Sequence, residues 1–321
     1  MTARAHKAVL IAGPTACGKS ALAVALARRH DGVVINADSM QIYRDLAILS
    51  ARPDTGEQNG VPHRLFGIRD AAHPCSVAEW HDLAMAEIDD AWRAHRLPIL
   101  VGGTGLYFKS LLSGLAPVPD IPAAIRAGVR ARLSEEGADA IHAALQREDP
   151  AMAARLRPAD GQRLARALEV VRATGRSLAA YQADTRPGGL AAADADGQVI
   201  KRVADLPRRA LYACCDARFD AMILAGALDE VRALAARGLD PALPAMKALG
   251  VPPLLACLDG ATDLATAVSV AQRDTRRYAK RQATWMRTQF ADWPRLDMSQ
   301  PDAALANLES ALATSTDGSH T

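Results

Sequence analysis

The sequence is poor in aromatic residues and has no long apolar run. Phe, Trp and Tyr make up 4% of its 321 residues, so aliphatic side chains must form most of the core. No stretch of about 18 consecutive apolar residues occurs, so we expect no membrane-spanning helix. The first residues, MTARAHK, contain no apolar targeting segment. These absences favour a cytoplasmic protein without membrane contact.

Cysteine and net charge are low as well. There are five cysteines, and no Cys-x-x-Cys pair is present, which argues against a zinc ribbon or a disulfide framework. Lys and Arg number 38 against 36 Asp and Glu, so a nucleic-acid surface would have to be a local cluster of cations. The length allows one large α/β domain with an insertion, or two domains.

The most informative segment is GPTACGKS, which fits the phosphate-binding pattern G-x-x-x-x-G-K-S/T. The apolar run Ala8–Ala12 before it predicts a buried strand, and Ser20–His30 after it predicts a helix. This order is typical of a P-loop, whose backbone N–H groups and helix N-terminus bind an anion. The predicted phosphate ligands are Gly13, Pro14, Thr15, Ala16, Cys17, Gly18, Lys19 and Ser20, with Ser20 also placed to ligate Mg²⁺. The pattern predicts a polyphosphate or pyrophosphate and does not say which.

Two further predicted strands end in polar or glycine-rich segments. Asp38 follows the predicted strand 32–37, so it is a candidate general base or metal ligand, although a capping aspartate is an equally good interpretation. The predicted strand 97–101 ends in Gly102-Gly103-Thr104, which brings N–H groups and a hydroxyl towards a ligand. A typical P-loop ATPase has an aspartate at that strand end, and its absence counts against ATP hydrolysis.

The domain organisation follows from prolines and composition. Three prolines, at 117, 119 and 122, mark a boundary, and residues 123–185 beyond it are predicted to be helical and are rich in arginine. The run Ala210–Cys215 predicts a strand returning to the first domain, followed by a helix from Asp216 to Gly238 with Arg218 at its start. The predicted parts are a core over 1–121, a helical insertion over 122–203, a return to the core over 204–300 and a frayed tail over 301–321.

A late predicted helix, from Val270 to Phe290, is strongly basic on one face. Six cations lie on this face, with a single acidic residue, Asp274, among them. Such an excess of positive charge is unusual for an inert surface. This face favours a polyanionic partner such as nucleic acid. The cations are Arg273, Arg276, Arg277, Lys280, Arg281 and Arg287.

Taken together, these segments resemble the tRNA dimethylallyltransferase family, also called IPP transferases. The motifs are GPTACGKS, NADSMQIYR, PHRL, LVGGTGLYFKSLL, QRLARALEV, AMKALGV and AKRQATWMR, in that family's order over about residues 8–295. The resemblance implies an α/β fold, with a P-loop kinase-like parallel sheet core and an inserted all-helical tRNA-binding domain. It implies transfer of the dimethylallyl group of dimethylallyl pyrophosphate to the exocyclic amine of adenosine at tRNA position 37. It also implies release of pyrophosphate, use of Mg²⁺, binding of the anticodon stem-loop and a monomeric protein.

The resemblance also implies roles for single residues. Asp38 would take the proton from the adenine amine, Thr104 would lie near the oxygen that bridges the dimethylallyl carbon and the phosphate, and Arg218 would bind pyrophosphate. The implied tRNA contacts are Asp38, Ser39, Met40, Gln41, Arg126, Gln162, Arg163, Leu164, Ala165, Arg166, Met246, Lys247, Ala248, Leu249, Gly250, Val251, Arg277, Lys280, Arg281, Gln282 and Trp285.

The sequence departs from the family pattern in two segments and leaves three alternatives open. Residues 246–251 read MKALGV, where many members have Arg and Gly-Tyr, and the segment from Asp45 to Pro53 lacks a glycine common in the family. The alternatives are a kinase with ATP in the P-loop, an RNA-binding regulator that keeps the P-loop only as a scaffold, and a transferase acting on free AMP or ADP.

Overall fold

The computed structural model describes residues 6–314, which form two compact units. One unit, the core, contains the residues up to Leu112 and those from Gly189 onwards. The other unit, the insertion, contains Ser113–Gly188. None of the helices among the described residues is long and apolar enough to cross a lipid bilayer.

The core unit is organised around a six-stranded parallel sheet. Its strand order is β3-β2-β4-β1-β5-β6, so the first strand lies at the centre. Parallel strands need crossovers that cover both faces with helices, and the central strands are accordingly buried along almost their whole length. The strands are β1 (Ala8–Ala12), β2 (Gly32–Asn36), β3 (His63–Arg64), β4 (Leu97–Gly102), β5 (Val199–Asp205) and β6 (Arg295–Asp297).

The two faces of the sheet pack against different helices of the core unit. Leu10 of β1 points into one apolar cluster with Trp80 and Leu100, whereas its neighbours Val9 and Ile11 point into the other. This alternation is the period of two that a strand imposes. The core helices are α1 (Lys19–His30), α2 (Thr55–Gln58), α3 (Val77–Arg93), α4 (Gly105–Ser113), α9 (Ala191–Ala195), α10 (Arg208–Leu224), α11 (Ala227–Ala235), α12 (Val251–Leu258), α13 (Leu264–Gln289) and α14 (Pro301–Thr314), with one 3₁₀ turn at Ala245–Lys247.

The insertion unit is helical throughout its regular structure, as the sequence predicts. Its helices are α5 (Ala123–Glu148), α6 (Pro150–Ala153), α7 (Gly161–Thr174) and α8 (Leu178–Ala183). Gly137 interrupts α5 with a positive φ of 82°. Helix α7 buries Leu164 and Leu168 against α5, and Gly175 ends it in the left-handed conformation that glycine adopts most easily.

Several predicted elements are confirmed. β1 has the predicted bounds, and α1 begins one residue before the predicted start. Helix α3 begins after Ser76, whose hydroxyl accepts the Glu79 N–H while the Glu79 carboxylate accepts the Ser76 N–H. This reciprocal capping box follows from the S-x-x-E spacing.

Three expectations on the late part of the chain are wrong. The run Ala210–Cys215 is helix α10 and not a strand, and the returning strand is β5, which the sequence analysis had included in the helical insertion. The predicted helix over 216–238 is divided at Gly226, where φ is 99°. Residues 301–314 are helix α14, which packs Leu305 and Leu308 into the cluster beside α1, because its apolar residues recur at helical spacing. The last predicted tail residues, 315–321, lie outside the described residues, as do residues 1–5.

Candidate active site

The loop between β1 and α1 has the shape of an anion-binding P-loop. Ala16 and Gly18 both have left-handed backbone conformations, with φ of 65° and 85°. A non-glycine residue in that region is uncommon, and it bends the loop around the N-terminus of α1. Lys19 donates from Nζ to the Pro14 carbonyl oxygen at 3.1 Å, which keeps the ammonium group over the loop. The helix N-terminus and this ammonium group together favour a bound phosphate.

Arg218 adds a second cation at the P-loop. It lies on α10 and donates from Nη2 to the Thr15 hydroxyl. Burial lowers the pKa of its guanidinium, although the group stays charged. Among the described residues it forms no salt bridge with a carboxylate. A largely desolvated cation without a carboxylate is a strong indication of an anionic ligand.

Asp38 is held beside β2 by its own neighbours. Asn36 is fully buried, and its side-chain amide accepts from the Asp38 N–H at 2.8 Å and donates to the Asp38 carbonyl oxygen at 3.0 Å. Asp38 Oδ1 in turn accepts from the Met40 N–H at 2.9 Å. Its Oδ2 accepts no hydrogen bond from residues 6–314, which leaves one carboxylate oxygen for a substrate proton. Oδ1 therefore caps a turn, and Oδ2 is the carboxylate oxygen that can accept a proton.

The segment Gly102–Thr104 closes the site on the side of β4. A Cβ added to Gly102 would lie 2.0 Å from the Ala37 carbonyl oxygen, so only glycine allows this approach of β2 and β4. The Thr104 hydroxyl accepts from the Ser39 N–H at 3.0 Å. Thr104 therefore lies against the segment that carries Asp38.

A cavity of about 430 Å³ opens beside these groups. One part of its wall carries Thr15, Asp38, Arg218 and Arg281, and much of the remainder is apolar. Burial raises the pKa of the Tyr278 hydroxyl in this wall, so it stays protonated at neutral pH. A cavity with an apolar wall and a few convergent polar groups is typical of a small-molecule site. The apolar and weakly polar lining consists of Met40, Leu49, Ser50, Cys215, Phe219, Met222, Pro244, Ala248, Leu249, Thr275 and Tyr278.

A second cavity, of about 610 Å³, includes Pro14 of the P-loop in its lining. It lies along the carboxyl ends of β5 and β6 and the start of α10. Its lining includes four cations, Arg208, Lys280, Arg287 and Arg295, and two carboxylates, Asp205 and Asp297, so its charge is positive on balance. Helix α13 contributes residues to both cavities.

The predicted basic helix is confirmed as α13, but one of its predicted RNA contacts, Gln282, is buried. Arg277, Lys280 and Arg281 are exposed, as predicted. Gln282 is buried, and it accepts from the Thr15 N–H at 2.9 Å and donates to the Gly103 carbonyl oxygen at 3.0 Å. Both hydrogen-bonding groups of the Gln282 side chain are thus used inside the protein, and a contact of this residue with RNA stays a prediction.

Trp285 and the segment 246–251 are more deeply packed than an RNA surface requires. Trp285 covers Gly105 so closely that an added Cβ would lie 1.9 Å from its ring. Met246, Ala248 and Val251 are buried, while Lys247 is exposed. Side-chain contacts with a ligand in this segment are thus limited to Lys247 and to the residues that line the first cavity.

The predicted RNA contacts of the insertion unit also divide into two groups. Arg126, Gln162 and Arg163 are exposed. Leu164 and Ala165 are buried in the unit's own core, and their predicted RNA contacts stay predictions. Arg166 is partly exposed and forms a salt bridge with buried Glu169.

Sequence reasoning missed the apolar part of the cavity wall on α10, although the helix predicted from Asp216 already contained Arg218, Phe219 and Met222. Cys215, Arg218, Phe219 and Met222 recur at helical spacing and all line the first cavity. Only Cys215 lay in the run assigned to a strand, and the helical spacing of these apolar positions around Arg218 was the signal that indicated a wall beside the phosphate site. The buried amides of Asn36 and Gln282 had no such signal, because their partners are distant in sequence.

The donor set for Mg²⁺ fits a P-loop ion. Ser20 is the second residue of α1, where its hydroxyl lies at the phosphate-binding end of the helix. No cluster of three acidic, histidine or cysteine ligands occurs among residues 6–314. A P-loop magnesium ion is held by one hydroxyl, phosphate oxygens and water, so it needs no such cluster.

Comparison with known proteins agrees with this geometry. The family model described as IPP transferase matches residues 41–289. The tRNA dimethylallyltransferase of Nitrobacter hamburgensis is 53% identical over 96% of this chain and 95% of its own length. The crystal structure of the full-length tRNA isopentenylpyrophosphate transferase from Bacillus halodurans is 32% identical, covers 98% of this chain and 100% of its own, and has a TM-score of 0.70.

A eukaryotic dimethylallyltransferase, crystallised while acting on tRNA, is 25% identical and has a TM-score of 0.80, covering 98% of this chain and 80% of its own. The family model matches well over half of the chain, and the relatives match nearly all of it. This chain therefore belongs to the IPP transferase family, and it carries the P-loop, the Asp38 segment and the Gly-Gly-Thr strand end described above.

Proposed function

We propose that this protein transfers the dimethylallyl group of dimethylallyl pyrophosphate to the exocyclic amine of an adenosine next to a tRNA anticodon. The observation that carries the proposal is the cavity that joins the P-loop cation Arg218, the carboxylate of Asp38 and an apolar wall. These are the three features that an anionic leaving group, an amine nucleophile and a prenyl chain require. The relatives' activity, which their names give as dimethylallyl transfer to tRNA, supports it.

The P-loop is proposed to hold the pyrophosphate. In the reaction the C–O bond between the dimethylallyl carbon and the phosphate breaks, and negative charge grows on the leaving group. Lys19, Arg218 and the N-terminus of α1 stabilise that charge where it develops. An allylic carbon can carry partial positive charge, so stabilising the leaving group lowers much of the barrier.

Asp38 is proposed to accept the proton lost by the amine. The adenine nitrogen forms the new C–N bond, and one of its protons moves to Oδ2 of Asp38. The lone pair of this amine is delocalised into the ring, so a base that also orients it is valuable. Asn36 and the Met40 N–H fix the carboxylate in place, which reduces the motion needed at the moment of reaction.

The exposed cations of α13 are proposed to bind the RNA backbone. Lys280, Arg281 and Arg287 form no salt bridge with any described residue, in contrast to Arg276, which pairs with Asp216 at 2.6 Å. Unpaired cations on one helix face suit phosphates spaced along a nucleic-acid strand. Since the chemistry takes place in a cavity, the target base must leave the stack of the anticodon loop.

We also propose that the protein uses Mg²⁺, that it is cytoplasmic and that it acts as a monomer. Mg²⁺ bound at Ser20 would neutralise charge on the pyrophosphate. Ser20→Ala should then raise the Mg²⁺ concentration needed for half-maximal transfer, and an unchanged requirement would contradict this role. A tRNA substrate suits a cytoplasmic protein, and we propose that one chain holds a complete site.

The test is a transfer assay followed by mass spectrometry. Protein, Mg²⁺ and dimethylallyl pyrophosphate are mixed with an unmodified tRNA that has adenosines following its last anticodon base. We expect a gain of one C₅H₈ unit on the adenosine next to the anticodon and release of one pyrophosphate, without ATP.

Two controls separate the alternatives. Free AMP in place of tRNA should give no product, and product with AMP would favour a transferase of free nucleotides. ATP consumption without tRNA, and no gain of mass on the RNA, would favour a kinase. No product with saturating tRNA and no ATP turnover would favour an RNA-binding protein.

A further inference from the structure

One wall of the first cavity is formed by a loop without regular structure. Residues 45–52, here called the wall loop, contain neither helix nor strand. Leu49 and Ser50 of this loop line the cavity. Ala51 has a positive φ of 51°, which L-residues adopt only when their surroundings enforce it. Hydrogen bonds within the loop, such as that from the Ala51 N–H to the Ile48 carbonyl oxygen at 2.9 Å, hold part of this shape, and side chains outside the loop hold the rest.

A carboxylate on a distant helix binds the middle of the loop. Glu230 on α11 accepts from the Ala47 and Ile48 N–H groups through Oε2, at 2.7 and 2.8 Å, and from the Leu49 N–H through Oε1, at 2.9 Å. Three successive backbone donors thus converge on one side chain about 180 positions later in the chain. Hydrogen bonds to an ionised acceptor are about twice as strong as neutral ones, so this contact fixes the loop firmly.

Two further contacts hold the ends of the wall loop. Arg237, just beyond α11, pairs with Asp45 at the start of the loop and with Asp70, the latter at 2.7 Å. Gln41 donates from Nε2 to the Ser50 and Ala51 carbonyl oxygens, at 3.0 and 2.7 Å, near the end of the loop. Gln41 belongs to the segment that also carries Asp38. The wall loop is therefore coupled to the residues around the proposed base.

From this geometry we infer that Glu230 is a positioning residue that shapes the cavity wall against which the acceptor adenine packs. The inference rests on the proposed function. Leu49 and Ser50 bring no charge to the cavity, and Gln41 ties their loop to the segment that carries the proposed base, so this wall suits the uncharged adenine ring and not the pyrophosphate. The prenyl chain is left to the apolar side chains beside Arg218, which are Phe219 and Met222 on α10. The P-loop does not depend on Glu230, which bonds only the wall loop.

The test compares Glu230→Gln with Asp229→Asn, a neighbouring acid that is exposed and pairs with Arg232. Glu230→Gln replaces an acceptor oxygen by an NH₂ group that opposes the loop's N–H donors. We expect the KM for tRNA to rise about tenfold with little change in the KM for dimethylallyl pyrophosphate. The affinity for inorganic pyrophosphate, measured by calorimetry, should equal that of the wild type. Asp229→Asn should leave all three values unchanged.

Two further measurements separate positioning from general stability. Amide hydrogen exchange at residues 47–49, without substrate, should quicken in Glu230→Gln and not in Asp229→Asn. Leu49→Ala should also raise the KM for tRNA. Adding Glu230→Gln to Leu49→Ala should raise this KM by a smaller factor than Glu230→Gln does in the wild type, because both changes act on one wall.

Unchanged amide exchange, or an unchanged KM for tRNA alongside faster exchange, would overturn the inference. Additive effects of the two substitutions would also overturn it. If Glu230→Gln does not fold, Arg237→Ala with Arg232→Ala as its control gives the same comparison. Failure of the proposed function is distinguishable, since the wild-type protein would then transfer no dimethylallyl group. The exchange result would still test whether Glu230 holds the wall loop.

Discussion

Gln282 on α13 accepts a hydrogen bond of 2.9 Å from the backbone N–H of Thr15 in the P-loop. Its amide nitrogen donates to the Gly103 carbonyl oxygen on the other side, at 3.0 Å. The helix with the exposed cations is thus joined through its buried face to the proposed pyrophosphate site. The helix proposed to bind RNA therefore also supports the P-loop backbone.

The first prediction concerns this link. Gln282→Ala leaves the Thr15 N–H and the Gly103 carbonyl oxygen without their partner, and an unsatisfied buried group costs about 1–3 kcal/mol. We expect a loss of unfolding free energy of that order in urea, together with weaker pyrophosphate binding in calorimetry. Gln289→Ala, at an exposed position of the same helix, is the control. Pyrophosphate binding as tight as in the wild type would mean that the loop keeps its shape without Gln282.

The second prediction tests Asp38 as the proton acceptor. Asp38→Asn keeps an oxygen that can accept from the Met40 N–H, so the turn should survive while the base is lost. Single-turnover transfer should slow by about a hundredfold or more, with tRNA affinity changed much less. The rate is measured by quenching enzyme-excess reactions and detecting the modified nucleoside. A single-turnover rate near that of the wild type would remove Asp38 from the mechanism.

The third prediction concerns the free cations of α13. Lys280→Ala with Arg281→Ala should weaken tRNA binding and reduce the slope of log affinity against log salt by about 1 to 2 units, since each phosphate contact contributes just under one. Arg93→Ala, which removes an exposed arginine already paired with Asp90, is the control and should leave the slope unchanged. The measurement is filter binding of tRNA at several salt concentrations. If the double variant has the wild-type slope, the RNA lies on another surface.

The fourth prediction is a pH dependence of stability from His63. Burial lowers the pKa of this imidazole, although its hydrogen bond with the Val61 carbonyl oxygen acts in the opposite direction. The folded state therefore binds the proton less readily than the unfolded state. The contribution of the neutral His63 imidazole to stability is complete above the ordinary pKa of about 6.5. This contribution is lost as the pH falls through and below that value.

His63→Asn should flatten this fall, which denaturant titrations between neutral pH and mildly acidic pH measure. The control is His73→Asn at an exposed position, which should keep the wild-type profile. Identical pH profiles for His63→Asn and the wild type would show that another group is responsible.

The fifth prediction tests helix α14, which the sequence analysis had taken for a frayed tail. Leu308 is fully buried in the cluster beside α1, so Leu308→Ala should cost about 2–5 kcal/mol of unfolding free energy. Leu224→Ala, at a leucine that is 89% exposed, should change it by less than about 0.5 kcal/mol. Both are measured by urea denaturation. Equal, small effects would mean that α14 contributes little to the core.

The sequence by itself determined the parts of this protein that depend on local patterns. Strand β1, the P-loop and α1 follow from an apolar run, a glycine spacing and a helical composition, all within about 20 residues. The capping box of α3 and the basic face of α13 likewise depend on residues three or four apart. The resemblance then indicated the family, which the comparisons confirm.

Only the tertiary structure decided which side chains meet across the chain. The Ala-rich run 210–215 is compatible with both strand and helix, and packing of α10 against α13 selects the helix, which places Cys215 at the cavity. Gln282 follows Arg281 in a polar stretch, yet it points inward because Thr15 and Gly103 offer a donor and an acceptor there. Glu230 and the wall loop are about 180 residues apart. Such contacts depend on how distant segments pack, and no local periodicity encodes them.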